Sequence, residues 1–200
     1  NVNSLTARLG RAETWLRANQ SDVLCLQELK LETNKFPHEM FAALGYRAAV
    51  YGQKTYNGVA IIVKNTLPEF ADVQMGVPGF EDEQCRAIAA TVGDVRVIDL
   101  YVVNGQAVDS DKFQYKLRWL DAVSAWLAEE RAKHPKLVVV GDFNIAPTDA
   151  DVHDPAAWAG QILCSPAERA GFQSLLALGL KDSFRLFEQA EKSYSWWDYR

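Results

Sequence analysis

Hydrophobic positions near the start of the chain follow the period of a helix. Apolar residues recur every three or four positions and so share one helical face: Leu5, Leu9, Ala12 and Leu16. Ser4 stands just before this run and can cap it. Comparable patterns predict further helices at residues 37–44, 111–134 and 166–178.

Short apolar runs between polar residues predict the strands. Gly93-Asp94 separates two such runs, and a two-residue loop of this kind suits a β-hairpin. The predicted strands are residues 22–28, 46–51, 58–64, 87–92, 95–102 and 137–140, with a strand-like segment at 194–199. Because hairpins occur and strands do not alternate regularly with helices, the pattern predicts an α+β sandwich and not a doubly wound sheet.

The composition fits one globular domain. The chain has 200 residues, of which 48% are hydrophobic and 24% charged, which is enough for one sizeable core. No apolar run approaches the roughly 20 residues of a membrane span. The three cysteines lie far apart, without disulfide or zinc spacing, and this favours a reducing compartment, the cytoplasm.

The net charge bears on whether the protein binds nucleic acid. A formal net charge of −5 argues against a protein held to nucleic acid by bulk charge alone. It leaves open an enzyme that grips phosphate locally through a bound metal ion.

The segment Gly141-Asp142-Phe143-Asn144 follows an apolar strand that is expected to be buried. If the backbone stays extended, Asp142 and Asn144 lie on the same side. A carboxylate can accept a proton from water, and an amide can donate to a charged phosphoryl oxygen, so the pair suits phosphate chemistry. The alternative is an Asx-turn, because Gly-Asp and Asn are common in loops.

Glu28 ends another apolar run, and a carboxylate at a strand end can bind Mg²⁺. It could also be an ordinary loop or capping glutamate. Asn1 and Asn3 precede a helix and could be caps, and Tyr101 could be a core residue. No nucleophile motif or nucleotide-binding loop occurs, so metal-assisted hydrolysis is favoured over covalent catalysis.

Several motifs stand in the order in which bacterial exonuclease III has them. They are Asn1-Val2-Asn3-Ser4, Leu26-Gln27-Glu28, Asn57-Gly58-Val59-Ala60, Tyr101-Val102-Val103-Asn104-Gly105, Gly141-Asp142-Phe143-Asn144 and Ser195-Trp196-Trp197-Asp198-Tyr199-Arg200. The chain therefore resembles the exonuclease III family, the AP endonuclease branch of the exonuclease–endonuclease–phosphatase superfamily. The resemblance implies a four-layer α/β/β/α sandwich like that of deoxyribonuclease I. Residues 1–200 would form a single domain that lacks its first strand and its C-terminal part.

The same resemblance implies roles for individual residues. Tyr101 would orient the scissile phosphate, Asp142 would activate the attacking water, and Asn144 would hydrogen-bond the phosphoryl oxygen. The implied ligands of a divalent metal, Mg²⁺ or Mn²⁺, are Asn1, Glu28, Asp142 and Asn144. The implied DNA contacts are Asn3, Lys54, Tyr56, Asn57, Asn104 and Trp196, the last as the wall of a pocket for a base-less sugar.

The implied function is DNA repair. The protein would hydrolyse phosphodiesters of duplex DNA at abasic sites and blocked 3′ ends, as a monomer without membrane association. One alternative is a superfamily phosphoesterase acting on a phosphoinositide or sphingomyelin, against which Lys54 and Trp196 argue. Another is a DNA-binding relative that has lost catalysis, which the presence of Glu28, Asp142 and Asn144 disfavours.

Overall fold

The structure, a computed structural model, describes residues 1–195. Contacts divide the chain into two compact units. The first combines Asn1–Val102 with Glu130–Phe143, and the second combines Val103–Glu129 with the chain from Asn144 onward. Each unit therefore contains two separate stretches of sequence.

Two helices and an antiparallel sheet make up one side of the first unit. The elements are α1 (Leu5–Asn19), β1 (Val23–Gln27), α2 (His38–Ala43), β2 (Tyr46–Tyr51) and β3 (Val59–Lys64), with a 3₁₀ turn at Thr33–Lys35. The strand order is β1-β3-β2. Leu5 and Leu16 of α1 pack with Phe41 of α2 and Ile62 of β3. The helices therefore cover one face of this sheet, and Ser4 caps α1 as predicted.

A second sheet completes the first unit. Its strands are β4 (Phe70–Met75), β5 (Ala87–Val92), β6 (Val95–Tyr101) and β7 (Leu137–Asp142), in that spatial order. The predicted hairpin is confirmed, because β5 and β6 pair antiparallel around a turn in which Gly93 has φ +63°. In contrast, β6 and β7 run parallel.

The two sheets pack face to face. Val59, Ile61 and Val63 of β3 share a buried cluster with Ile88 and Ala90 of β5. The first unit thus has a helical layer and two stacked sheets, which confirms the predicted α+β sandwich.

Two strands differ from the sequence analysis. The hydrophobic pattern did not predict β4, whose residues are mostly exposed and whose register shifts between Ala71 and Gln74. The pattern also predicted that residues 137–140 would be buried, yet Val138 is 45% exposed. Within residues 1–195, β7 pairs with β6 alone at the edge of its sheet, which explains the exposure.

The second unit is helical. Its elements are most of α3 (Asp111–Lys133), a 3₁₀ turn at Asp149–Asp151, α4 (Pro155–Trp158) and α5 (Pro166–Ala177). The bounds of α3 and α5 agree with the predicted helices to within a residue. The predicted apolar face of α3 is buried at Phe113, Leu120 and Val123. No helix among residues 1–195 is long and apolar enough to span a membrane.

Candidate active site

Tyr101 and Asp142 are the last residues of two neighbouring parallel strands. They are register partners, and the main-chain nitrogen of Val102 donates to the carbonyl of Asp142 at 2.9 Å. The preceding Gly141 has φ +137°, and a Cβ there would lie 1.9 Å from the carbonyl oxygen of Leu100. Glycine is therefore required for β7 to approach β6 closely. Asp142 is thus part of a strand, which counts against the Asx-turn alternative.

Glu28 directly follows β1 and is half-buried. Its backbone has φ +61°, and its carbonyl oxygen accepts from the main-chain nitrogen of Ser4 at 2.9 Å. The nitrogen of Val2 likewise donates to the carbonyl of Gln27 at 2.9 Å. The first residues of the chain therefore run alongside the end of β1, which brings Asn1 and Asn3 to Glu28.

A chain of polar contacts joins these side chains. Asn1 Nδ2 donates to Asp142 Oδ2 at 2.8 Å, and Asn1 Oδ1 accepts from the backbone nitrogen of Asn3 at 2.9 Å. Lys30 Nζ donates to Asn3 Oδ1 and lies 3.0 Å from Glu28 Oε1. The first unit therefore brings together Asn1, Asn3, Glu28 and Asp142, all of which the sequence analysis named.

The charges of both carboxylates, Glu28 and Asp142, act on the Tyr101 hydroxyl. Burial, then the charge of Glu28, raises the pKa of Tyr101 to about 12, and Asp142 contributes in the same direction. The hydroxyl also hydrogen-bonds Glu28. The Arg86 guanidinium opposes this rise from a position 4.8 Å from the centre of the Tyr101 ring. Tyr101 therefore stays protonated near neutral pH and can donate a hydrogen bond.

The oxygen atoms at this edge suit a hard divalent cation. Glu28 and Asp142 both act on the Tyr101 hydroxyl, and Asn1 adds an amide oxygen within the same network. Mg²⁺ usually takes one or two carboxylates and completes its shell with water and substrate phosphate. Among residues 1–195 there is no group of three or more His, Cys, Asp and Glu placed to hold a metal. The donor set fits a magnesium ion with few protein ligands.

Asn104 and Asn144 belong to the second unit. Asn144 is buried with φ +46°, and its Oδ1 accepts from Asn104 Nδ2 at 3.3 Å. Lys116 Nζ donates to the main-chain carbonyl oxygens of both, at 3.1 Å for Asn104 and 2.6 Å for Asn144. The structure therefore brings these two predicted residues together around a buried lysine.

The loop between β2 and β3 carries the other predicted DNA contacts. Lys54 and Tyr56 are exposed, the latter to 67%. Asn57, in contrast, is buried and donates to Gln53 Oε1 at 3.2 Å and to Gln84 Oε1 at 3.3 Å. In this structure Asn57 fixes the loop, and its contact with DNA stays a prediction. Trp196 lies outside the described residues.

Three cations of these networks received no role in the sequence analysis. Lys30 stands two residues after Glu28, and Arg86 directly precedes β5. Lys116 had a visible signal, because it lies three residues after Phe113 and four before Leu120, on the apolar face of a predicted helix. A charged residue on such a face is unusual and indicates a buried partner.

The sequence matches the endonuclease/exonuclease/phosphatase family over residues 1–200. This chain belongs to that family. It is 35% identical over 213 aligned residues to exodeoxyribonuclease III of Haemophilus influenzae, across all of this chain and 79% of that protein. The resemblance seen in the sequence is therefore confirmed.

Solved structures of family members share the fold. The 3′ phosphatase NExo from Neisseria, bound to a product DNA hairpin, has a TM-score of 0.96 and 48% identity, over all of this chain and 77% of that one. An AP endonuclease from Archaeoglobus fulgidus has a TM-score of 0.92 and 36% identity with the same coverage. The α+β, deoxyribonuclease I-like fold class is confirmed.

Proposed function

We propose that this protein is a DNA-repair nuclease. It hydrolyses phosphodiesters of duplex DNA at abasic sites and at blocked 3′ ends. The observation that carries the proposal is the placement of two carboxylates, Glu28 and Asp142, around the protonated Tyr101 hydroxyl at a sheet edge. The names of the relatives, an exodeoxyribonuclease, a 3′ phosphatase and an AP endonuclease, support the substrate class.

Divalent-metal dependence is a property of nucleases in this family. Here Glu28, Asn1 and Asp142 would hold the ion, Mg²⁺ or Mn²⁺, and the sequence resemblance adds Asn144. When bound, the ion supplies positive charge that stabilises the developing charge on the phosphoryl group. Lys30 keeps Glu28 in place through its 3.0 Å ion pair.

The side chains of the chain itself divide the remaining work. Asp142, oriented by the Asn1 amide, accepts the proton of the attacking water. When substrate binds, the single hydroxyl proton of Tyr101 shifts its hydrogen bond from Glu28 to a phosphoryl oxygen, and Arg86 adds positive charge beside the same ring. Asn144 donates from its amide to a phosphoryl oxygen. The DNA is contacted by the residues that the sequence resemblance implies, Asn3, Lys54, Tyr56, Asn104 and Trp196.

The experiment is a substrate panel with matched variants. The purified protein is given abasic-site duplex, nicked duplex with a 3′-phosphate, and a phosphoinositide, each with Mg²⁺ and with EDTA. We expect Mg²⁺-dependent cleavage of the DNA substrates and strong loss in Glu28→Gln. The control is Glu13→Gln, since Glu13 lies on the exposed surface of α1, where it pairs with Arg17.

The outcomes separate the alternatives. Cleavage of the phosphoinositide in place of DNA would favour a phosphoesterase of another substrate class. DNA binding without cleavage under any metal condition would favour a relative that has lost catalysis. A Glu28→Gln protein with normal metal dependence would remove Glu28 from the metal site. A monomeric state and a cytoplasmic location stay predictions from the sequence.

A further inference from the structure

Lys116 and Glu168 form an ion pair that is shut off from solvent. Both side chains are 0% exposed, and both belong to the second unit. Charges removed from water in this way are tolerated only when hydrogen bonds satisfy their remaining donors and acceptors. The hydrogen-bond partners of Lys116 and Glu168 therefore show which parts of the chain this ion pair holds in place.

The contacts of the Lys116 ammonium, which carries three N–H groups, include three acceptors. One is Glu168 Oε1, and the other two are the main-chain carbonyl oxygens of Asn104 and Asn144. Two of the three thus belong to residues that the proposed function uses. The lysine ties together two loop positions that are 40 residues apart in the sequence.

Glu168 is held rigidly in its turn. Its Oε1 also accepts from the backbone nitrogen of Leu163 at 3.0 Å, and its Oε2 accepts from the nitrogen and the hydroxyl of Ser165 at 3.1 and 2.6 Å. The contact from the Ser165 nitrogen is one half of the capping box at the start of α5, and the other half is the Glu168 nitrogen, which donates to Ser165 Oγ at 3.2 Å. The first turn of α5 therefore fixes the Glu168 carboxylate, and this carboxylate fixes the position of the Lys116 ammonium.

These contacts fix the conformation of Asn144. Its backbone is in the left-handed region at φ +46°, a conformation that persists in a non-glycine residue when its surroundings fix it. Its Oδ1 accepts from Asn104, so its amide nitrogen is turned away from Asn104. Lys116 holds its carbonyl at 2.6 Å. The backbone angle and the direction of the carboxamide are thus set together.

We propose that Lys116, held by Glu168, is a positioning residue that orients the Asn144 carboxamide for the phosphoryl group. This inference rests on the proposed function and deepens it. Neither Lys116 nor Glu168 touches the substrate, and their effect passes through Asn144.

The first unit contains a matched control pair. Arg96 and Glu130 form a second buried ion pair, with 4% and 8% of their side chains exposed. Arg96 also donates to the carbonyl of Asp72 and to Thr91 Oγ1, and none of these partners is a candidate site residue. Glu130→Gln therefore weakens a buried pair whose partners named here are not candidate site residues, and Glu168→Gln is its equivalent in the second unit.

The kinetic test compares these two isosteric variants on abasic-site duplex with Mg²⁺, at a temperature where circular dichroism shows each protein folded. We expect Glu168→Gln to lower kcat by roughly 10- to 100-fold with KM nearly unchanged, because a small misplacement of a reacting-site group has effects of this size. Glu130→Gln should leave kcat unchanged. In an Asn144→Ala background, Glu168→Gln should cause no further loss of kcat.

A second measurement does not depend on activity. The side-chain amide signals of Asn144, assigned by their loss in Asn144→Asp, should shift in the ¹⁵N–¹H spectrum of Glu168→Gln and stay in place in Glu130→Gln. If the Lys116→Met protein folds, it should give a larger shift of the Asn144 signals than Glu168→Gln. If it does not fold, the Glu168→Gln spectrum alone tests the proposal. Unshifted Asn144 signals, or equal kcat losses in both variants, would overturn the positioning role. Absence of DNA cleavage by the wild type would instead contradict the proposed function. The Asn144 amide signals would still test whether Lys116 and Glu168 position the Asn144 carboxamide.

Discussion

In the first unit, Tyr101 and Asp142 are placed by the register of two hydrogen-bonded strands, and in the second unit Asn104 and Asn144 are placed by a buried lysine. The strand ends need only main-chain hydrogen bonds and one glycine, Gly141, to bring them together. The loop positions need a desolvated charge pair and a capped helix. The register of the sheet fixes the backbone positions from which the Tyr101 and Asp142 side chains extend. The buried Lys116–Glu168 pair instead fixes the irregular backbone at Asn104 and Asn144.

The largest effect is expected at the strand ends. Asp142→Asn should lower kcat by at least about 10²-fold and up to about 10⁴-fold, because it removes the proton acceptor. Binding to abasic DNA should survive, since a carboxylate near phosphate does not favour ground-state binding. Single-turnover kinetics and a binding assay measure the two quantities. Asp22→Asn, at an exposed carboxylate paired with Lys64, is the control. Ordinary turnover in Asp142→Asn would show that Asp142 has only a structural role.

The glycine that permits the strand register gives the next effect. Gly141→Ala should lower the free energy of unfolding by about 1–3 kcal/mol, because the added methyl meets the main chain of Leu100. It should also lower kcat by displacing Asp142. Urea denaturation measures the stability. Gly10→Ala on α1, where an added Cβ meets nothing within 4 Å, should instead be neutral or stabilising. Equal stability of the two variants would mean that β7 adapts without Gly141.

The buried carboxyl of Asp99 gives a pH-dependent effect. Asp99 joins the two sheets by accepting from Gln27 Nε2 at 2.6 Å, and its complete burial raises the pKa of its carboxyl well above the usual value. In the unfolded chain the group ionises near pH 3.9. Between that pH and the raised pKa of the folded state, the folded protein holds the extra proton, so the free energy of unfolding falls as the pH rises.

Asp99→Asn should remove this dependence. The stability of the variant relative to the wild type should therefore increase between pH 4 and pH 7, measured by urea denaturation at several pH values. Asp94→Asn, at an exposed turn carboxylate, is the control, because Lys136 lowers the pKa of Asp94 and gives the opposite sign. A relative stability of Asp99→Asn that falls with pH would show that Asp99 is ionised in the folded protein.

The smallest effect is expected in the second unit. Asn104→Ala removes the neutral hydrogen bond to Asn144, at 3.3 Å, and the one that Asn104 Oδ1 accepts from the Gln106 nitrogen at 3.1 Å, while the main-chain contact with Lys116 remains. A bond of this kind contributes about 0.5–1.5 kcal/mol, so kcat should fall roughly threefold. Asn19→Ala on α1 is the control, and steady-state kinetics suffices. A loss as large as that of Glu168→Gln would place the control of Asn144 in its side-chain contact and not in the buried ion pair.

Regular elements could be predicted from the sequence, and irregular placements could not. The 3.6-residue period located α1, α3 and α5, and Gly93-Asp94 located the hairpin, because these signals are local. The strand ends at Glu28 and Asp142 followed from apolar runs. In contrast, β4 carries mostly exposed residues and leaves no buried pattern. The partners of Lys116 come from segments distant in sequence, so no local pattern could reveal them.

The parallel pairing of β6 and β7 also sets an order of events in time. Parallel neighbours need a crossover, and the chain between them contains the whole of α3. During synthesis the β5–β6 hairpin can close as soon as it emerges, whereas β7 must wait until residue 142 has been made. A nascent chain therefore already has Glu28 and Tyr101 but lacks Asp142. Under the proposed function, it cannot cut DNA until β7 is in place.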